Sequence, residues 1–372
     1  MPTIIFKATE ACNSNCIYCD VVVRKLPKTI SLDILELAYI RINEYLTKYT
    51  KDDIQIIWHG GEPCMAGLKT YQKALEFQYT HCVETKNRIH YAVQSNLTMI
   101  TQEFIDVFKE MGITSIGTSF EPIHGLRGLG KNRDSVDYNK KFFQGVSLLE
   151  ENNMSWGFIY VVTKKVLQRP LDIFFYLSNL KPRGSFIIHP VLVYNKEDKN
   201  DIAITNKEYT DFLGAIFAYW WEHKERYPEL DPFRSYLKNY TSEDRTSSCV
   251  ESGSCAYSHI YIGPEGNASH CGRAADWNLV DYGNIKEKSL IEIFEDKQRE
   301  AFLQRSSLLE KTECNGCEYW EICHGGCPLD SWNEHKDFIH KSGLCDIKKT
   351  FLKKYFEPIS GLKLKQREFK SN

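Results

Sequence analysis

Through roughly its first 230 residues the chain alternates short apolar runs with longer stretches in which apolar positions recur at helical spacing. Thr3–Lys7, Ile54–His59, Ile89–Gln94, Ser115–Ser119, Gly157–Val162 and Phe186–Val191 read as strands. Helical patterns lie between them at about 31–49, 68–85, 102–111, 135–151 and 168–179, and another follows at 206–225. In the first of these Ser31 is the expected N-cap, and Leu35, Ala38, Tyr39, Ile42 and Leu46 share one apolar face. Six strand-then-helix repeats predict an α/β fold of parallel strands, as a partial or full barrel or as an open doubly wound sheet. In each of these arrangements chemistry belongs at the carboxyl ends of the strands.

The rhythm breaks between about 230 and 250 in the polar stretch NYTSEDRTSSC, which reads as a domain boundary. Beyond it come cysteines, Gly-rich turns and short elements. His259–Ile262 and Ala268–Cys271 flank Gly263–Asn267 as a β-hairpin, Ser289–Phe294 opens a helix, and Lys349–Phe356 is a last one. This divides the chain into 1–235, 236–358 and a polar tail, 359–372.

Composition narrows the function. A net charge of −2 gives no reason to expect nucleic acid or an anionic membrane as partner. No run approaches about 18 consecutive apolar residues, so no membrane span is expected, and MPTIIFKATEAC is no signal peptide. Thirteen cysteines without a secretion signal then point to metal rather than disulfides, in a reduced, cytoplasmic, oxygen-sensitive protein. They are also clustered: three fall at 12–19, eight between Cys249 and Cys345, and only Cys64 and Cys82 lie elsewhere.

Cys12, Cys16 and Cys19 follow the first strand in the spacing C-x3-C-x2-C, with Tyr18 inside the motif. Three thiolates can hold three corners of a four-iron cluster and leave one iron for a small molecule. A zinc knuckle is the alternative, but no fourth ligand follows at finger spacing. After the second strand comes His59-Gly60-Gly61-Glu62-Pro63, where the glycines admit close backbone approach and Glu62 could accept from an ammonium group. Gln94-Ser95-Asn96 ends the third strand and Ser119 the fourth. Ser95 and Asn96 are equally the residues of an ordinary turn. The carboxyl-terminal thiols run Cys249-x5-Cys255-x15-Cys271, then Cys314-x2-Cys317-x5-Cys323-x3-Cys327, then Cys345. Eight thiols suit two four-cysteine clusters, with two zinc sites as the rival.

Together these motifs resemble the radical S-adenosylmethionine superfamily with a SPASM extension, like that of anaerobic sulfatase-maturing enzymes and ribosomal-peptide maturases. The resemblance implies a partial (β/α)6 TIM-like barrel over 1–235 and a SPASM domain over 236–358 carrying two auxiliary clusters. It implies three [4Fe-4S] clusters and S-adenosylmethionine, with Tyr18, Gly60, Gly61, Glu62, Gln94, Ser95, Asn96 and Ser119 around that cofactor. By the same resemblance Cys249, Cys255, Cys271 and Cys327 bind the nearer auxiliary cluster, and Cys314, Cys317, Cys323 and Cys345 the farther one.

What the resemblance implies chemically is a 5′-deoxyadenosyl radical that takes hydrogen from a substrate carbon, followed by loss of an electron and a proton. Asp276, Glu121 and Asp330 are the candidate bases. Sulfatase maturases carry an aspartate directly after the third cysteine of the extension; here that place is Gly272. The Ser-x-Asp-Gly expected after the fourth strand is Ser119-Phe120-Glu121-Pro122. On these departures the first expectation is a maturase forming a C–C or C–S crosslink in a ribosomally made precursor. The alternatives are a sulfatase maturase that oxidises Cys or Ser to formylglycine, and a non-catalytic Fe–S or zinc protein. Expected partners are the peptide or protein substrate and a flavodoxin- or ferredoxin-like electron donor. The first strand begins so near Met1 that no separate amino-terminal peptide-binding domain is expected: either a separate leader-peptide-binding protein presents the peptide, the barrel mouth recognises it directly, or the substrate is a folded protein.

Overall fold

The computed structural model describes residues 1–19, 21, 26–192, 201–227, 230–243, 248–253 and 255–365. Its strands are β1 (Thr3–Thr9), β2 (Ile54–Gly60), β3 (Ile89–Gln94), β4 (Ser115–Ser119), β5 (Ser155–Val162), β6 (Phe186–Pro190), β7 (Leu230–Asp231), β8 (His259–Ile262), β9 (Asn267–Ser269) and β10 (Gly283–Asn284). The long helices that follow the first six are α1 (Leu32–Lys48), α2 (Leu68–His81), α3 (Gln102–Glu110), α4 (Ser135–Glu151), α5 (Pro170–Asn179) and α6 (Asn206–His223). Local pattern therefore located every repeat to within a few residues.

The chain packs as two discontinuous units. One comprises Met1–Ile159 with Ala256–Glu300, the other Tyr160–Cys255 with Ala301–Asn372. This grouping differs from the sequence boundary near 236, and β1 supplies the reason. Its one edge pairs in parallel with β2, and its other edge pairs in parallel with β8, Thr3 opposite His259 and Phe6 opposite Ile262. An unpaired edge there would leave a row of buried backbone groups without partners. The hairpin β8–β9, with β10 beside it, thus belongs to the first unit's sheet. On the other side β2, β3, β4 and β5 continue in parallel.

In the first unit, residues on the helix-facing side of the strands are apolar. Trp58 anchors them, with Phe6 edge-on at 5.0 Å and Tyr71 at 5.3 Å between ring centroids. α1 starts where expected: the Ser31 side chain accepts from Ile34 N, and Ile34, Leu35, Ala38, Tyr39, Ile42, Tyr45 and Leu46 are buried. The opposite side of β1 carries Lys7, which is buried all the same.

The second unit centres on Phe217 of α6, whose ring lies 5.1 Å from those of both Phe233 and Phe356. Phe212, Phe217 and Trp220 are core residues, while Trp221 is half-buried beneath Lys224. Thr205 and Glu208 form a capping box at the start of α6. The helix foreseen over Lys349–Phe356 is observed as Cys345–Phe351 continuing into a π-turn, Leu352–Phe356. Of the polar tail, 366–372 lie outside the described residues. Among the described residues no helix is long and apolar enough to cross a membrane.

Candidate functional site

The cysteine loop after β1 is braced from two sides. From β2, Gly61 N donates to Thr9 O at 3.1 Å and Glu62 N to Ala11 O at 2.8 Å. A side chain cannot be accommodated at that approach: a Cβ on Gly61 would lie 2.1 Å from Ala11 O, and one on Gly60 2.4 Å from Thr9 O. The two glycines thus let backbone reach backbone and fix the loop that carries Cys12. The segment between β4 and α4 braces it from the other side: Asn15 N donates to Gly128 O, Ile17 N to Leu126 O, and Gly130 N to Asn13 O at 2.9 Å. No disulfide involves Cys12, Cys16 or Cys19; Cys12 and Cys19 are exposed and Cys16 is half-buried.

Glu62 is fully buried. Its Oε1 accepts from Ser95 Oγ at 2.8 Å and Cys64 N at 3.0 Å, and its Oε2 from Asn96 N at 2.7 Å. Burial pushes this carboxyl up from its ordinary value, while the bonds from Asn96, Cys64 and Ser95 pull it down. Asn96 Nδ2 in turn donates to Asn13 Oδ1 at 2.8 Å and Ser14 Oγ at 3.2 Å. The third-strand motif is therefore a strut between the glycine turn and the cysteine loop. Gln94 faces the neighbouring strand, donating from Nε2 to Thr118 O at 3.0 Å. Ser119 ends β4 half-buried. Replacing Ser95 by alanine removes a bond to a buried carboxylate, so unfolding free energy should fall by about 1.5–3 kcal/mol in urea melts. A loss within error would show that Glu62 is held without it.

Sequence reasoning missed Arg127. It is buried, its Nε donates to Tyr138 Oη at 2.6 Å, and its Nη1 lies 3.4 Å from Tyr18 Oη. A buried cation beside the second cysteine of the loop was signalled only by an arginine within the Gly-rich GLRGLGKNR.

The three candidate bases are not equivalent. Asp276 closes the short helix Gly272–Asp276 and forms a buried ion pair with Lys7 of β1. Glu121 is buried just beyond β4 and accepts from Ile123 N at 2.9 Å. Asp330 belongs to the second unit, near the Cys249 thiol.

In that second unit the thiols fall into two neighbourhoods. Cys249 is within electrostatic reach of Cys255 and Cys327. Burial and the nearby thiols of Cys323, Cys345 and Cys317 push Cys314 up to about 11. Such crowding opposes ionisation of the sulfurs, and bound iron supplies the positive charge that would permit it. Among the described residues no three Cys, His, Asp or Glu side chains converge as one lone ion requires. Cys271 belongs to the first unit, after β9. Cys64 and Cys82 are buried, Cys64 beside Glu62 and Cys82 with its Sγ 3.5 Å from Tyr39 O.

Residues 6–177 match the Radical SAM superfamily, and residues 249–318 match SPASM, an iron-sulfur cluster-binding domain. The serine-type anaerobic sulfatase-maturating enzyme of Bacteroides thetaiotaomicron is 24% identical over 88% of this chain and 82% of its own length. The cysteine-type enzyme of Clostridium perfringens is 23% identical over 95% of each. Among solved structures, anSMEcpe with bound AdoMet and Cp18Cys peptide superposes with a TM-score of 0.80 at 21% identity, covering 97% of this chain and 98% of that one. SuiB of Streptococcus suis, bound to precursor peptide SuiA, gives 0.61 at 14% identity and covers 92% and 75%. The fold is thus the TIM-like partial barrel with a carboxyl-terminal SPASM domain.

Proposed function

We propose that this chain, a radical SAM enzyme with a SPASM extension, oxidises a cysteine or serine side chain of a protein substrate to an aldehyde. The observation that carries the reading is the end-to-end correspondence with sulfatase-maturating enzymes, against a match to only 75% of SuiB. It reverses the order expected from Gly272, which had placed peptide crosslinking first. The two domains imply a SAM-binding [4Fe-4S] cluster and auxiliary clusters. When bound, these groups supply a carbon-centred oxidant and electron acceptors.

The residues fit those groups. Cys12, Cys16 and Cys19 would hold the SAM-binding cluster, with Gly60, Gly61, Glu62, Ser95 and Asn96 fixing their loop and Tyr18, Gln94 and Ser119 lining the cofactor's side. Cys249, Cys255, Cys271 and Cys327 would hold one auxiliary cluster, and Cys314, Cys317, Cys323 and Cys345 the other. The thiol groupings of the second unit support this division. No disulfide joins any of the cysteines, and a flavodoxin- or ferredoxin-like protein would supply the electrons.

The proton acceptor is the point of departure from sulfatase maturases. In place of their aspartate stands Gly272, yet Asp276 lies four residues on, one turn along the same short helix. We assign the proton to its carboxylate. Gly272 and the Ser119-Phe120-Glu121-Pro122 departure favour crosslinking, which keeps that reading as the alternative. The test uses anaerobically reconstituted full-length protein with a strong reductant and sulfatase-sequence peptides bearing Cys or Ser. A serine peptide should lose two hydrogens, with fragmentation locating an aldehyde at the serine. Deoxyadenosine without aldehyde, alongside a new crosslink in a precursor peptide, would sink the proposal.

A further inference from the structure

Arg305 lies on the helix Glu300–Lys311 and is 3% exposed. Its guanidinium donates to four backbone carbonyls: Gly325 at 3.0 Å, Gly326 at 2.7 Å, Phe338 at 2.7 Å and His340 at 2.5 Å. Gly325 and Gly326 take positive φ, which turns their carbonyls inward within Cys323-His-Gly-Gly-Cys327. That turn joins a cysteine of one set to a cysteine of the other. Phe338 and His340 lie on the segment leading to Cys345.

Among the described residues Arg305 makes no ion pair, so its charge is balanced by carbonyl dipoles alone. The thiols within its electrostatic reach come from both sets: Cys327 and Cys255, and Cys314 and Cys323. The other buried cation of the unit, Lys348, is different. It donates to Ile322 O at 2.9 Å and pairs with Glu251, so its charge is locally cancelled.

We propose that Arg305 is a positive charge shared by the two auxiliary clusters, a positioning residue that raises the reduction potential of both. The proposal rests on the two cysteine sets holding clusters. Reduction adds one electron, and hence one negative charge, to a core already made anionic by four thiolates. A buried, unneutralised cation at that place favours the reduced form of each cluster. The same fork fixes the turn between the sets, so geometry and potential depend on one side chain.

The test compares full-length wild type with Arg305→Gln and Arg305→Lys after anaerobic reconstitution. Iron and sulfide are counted first, and wild-type protein with no auxiliary clusters would remove the premise rather than this proposal. EPR-monitored redox titration then reads both auxiliary couples. Arg305→Gln should lower the reduced-to-oxidised ratio of each at least tenfold at the wild-type midpoint, equivalent to about 59 mV for a one-electron couple. Arg305→Lys, which keeps the charge, should restore the ratio to within about threefold. If Arg305→Gln loads poorly, Leu309→Glu sets a carboxylate one turn away. It should lower both ratios in the same direction with Arg305 still present. Unchanged midpoints in either iron-loaded variant overturn the proposal. So does loss of auxiliary iron from both, because Arg305 would then be only a structural brace.

Discussion

Alanine at Gly61 should strip the chain of the cluster held by Cys12, Cys16 and Cys19. Iron should fall by about four atoms per chain while the auxiliary complement of about eight remains. The added methyl would stand 2.1 Å from Ala11 O and 2.8 Å from Glu10 O. No flexible side chain lies there to swing aside, since both obstacles are backbone of the cysteine loop. Nor can the glycine turn retreat, because Gly61 N and Glu62 N are bonded to Thr9 O and Ala11 O. Relief must come from displacing the Cys12 end of the loop, at a stability cost of about 1–3 kcal/mol for overpacking. The fold should survive and deoxyadenosine formation should disappear. Iron analysis, EPR of the reduced protein and a deoxyadenosine assay check this together. A G61A protein with wild-type iron and wild-type cleavage would show that the loop tolerates the shift.

The close approach at Gly61 shows what sequence could and could not reveal. Its two glycines were visible, and their meaning as close-approach residues was correct in kind. The partner was not, because the approach is to another loop 50 residues earlier rather than to a ligand alone. The six strand-helix repeats were legible because periodicity is local to each segment. The pairing of β8 with β1 was not, since nothing in HIYI identifies which distant edge it will complete. For that reason the segment Ala256–Glu300 reads as part of the cysteine-rich domain yet packs with the amino-terminal unit. Buried charges are the most opaque class. Lys7, Arg127 and Arg305 look in sequence like solvated surface residues, and only the fold shows them enclosed.

Lys7→Met should be the most destabilising single change in the barrel interior. Lys7 and Asp276 have side chains only 2% and 8% exposed, and they pair with each other. Removing the ammonium takes from this buried carboxylate the counter-charge that Lys7 supplies, a loss of up to about 3–5 kcal/mol. Replacing both partners, as in Lys7→Met with Asp276→Leu, should recover most of that stability, because two apolar groups need no desolvation energy returned. The double variant then separates folding from chemistry. If Asp276 receives the substrate's proton, the protein should fold, load its clusters and form deoxyadenosine, yet yield at least 100-fold less aldehyde product, a conventional magnitude for a general base. Retained product formation would assign the proton elsewhere, with Glu121 and Asp330 next in line. Such a result would leave the pair as a purely structural link between β1 and the helix that follows Cys271.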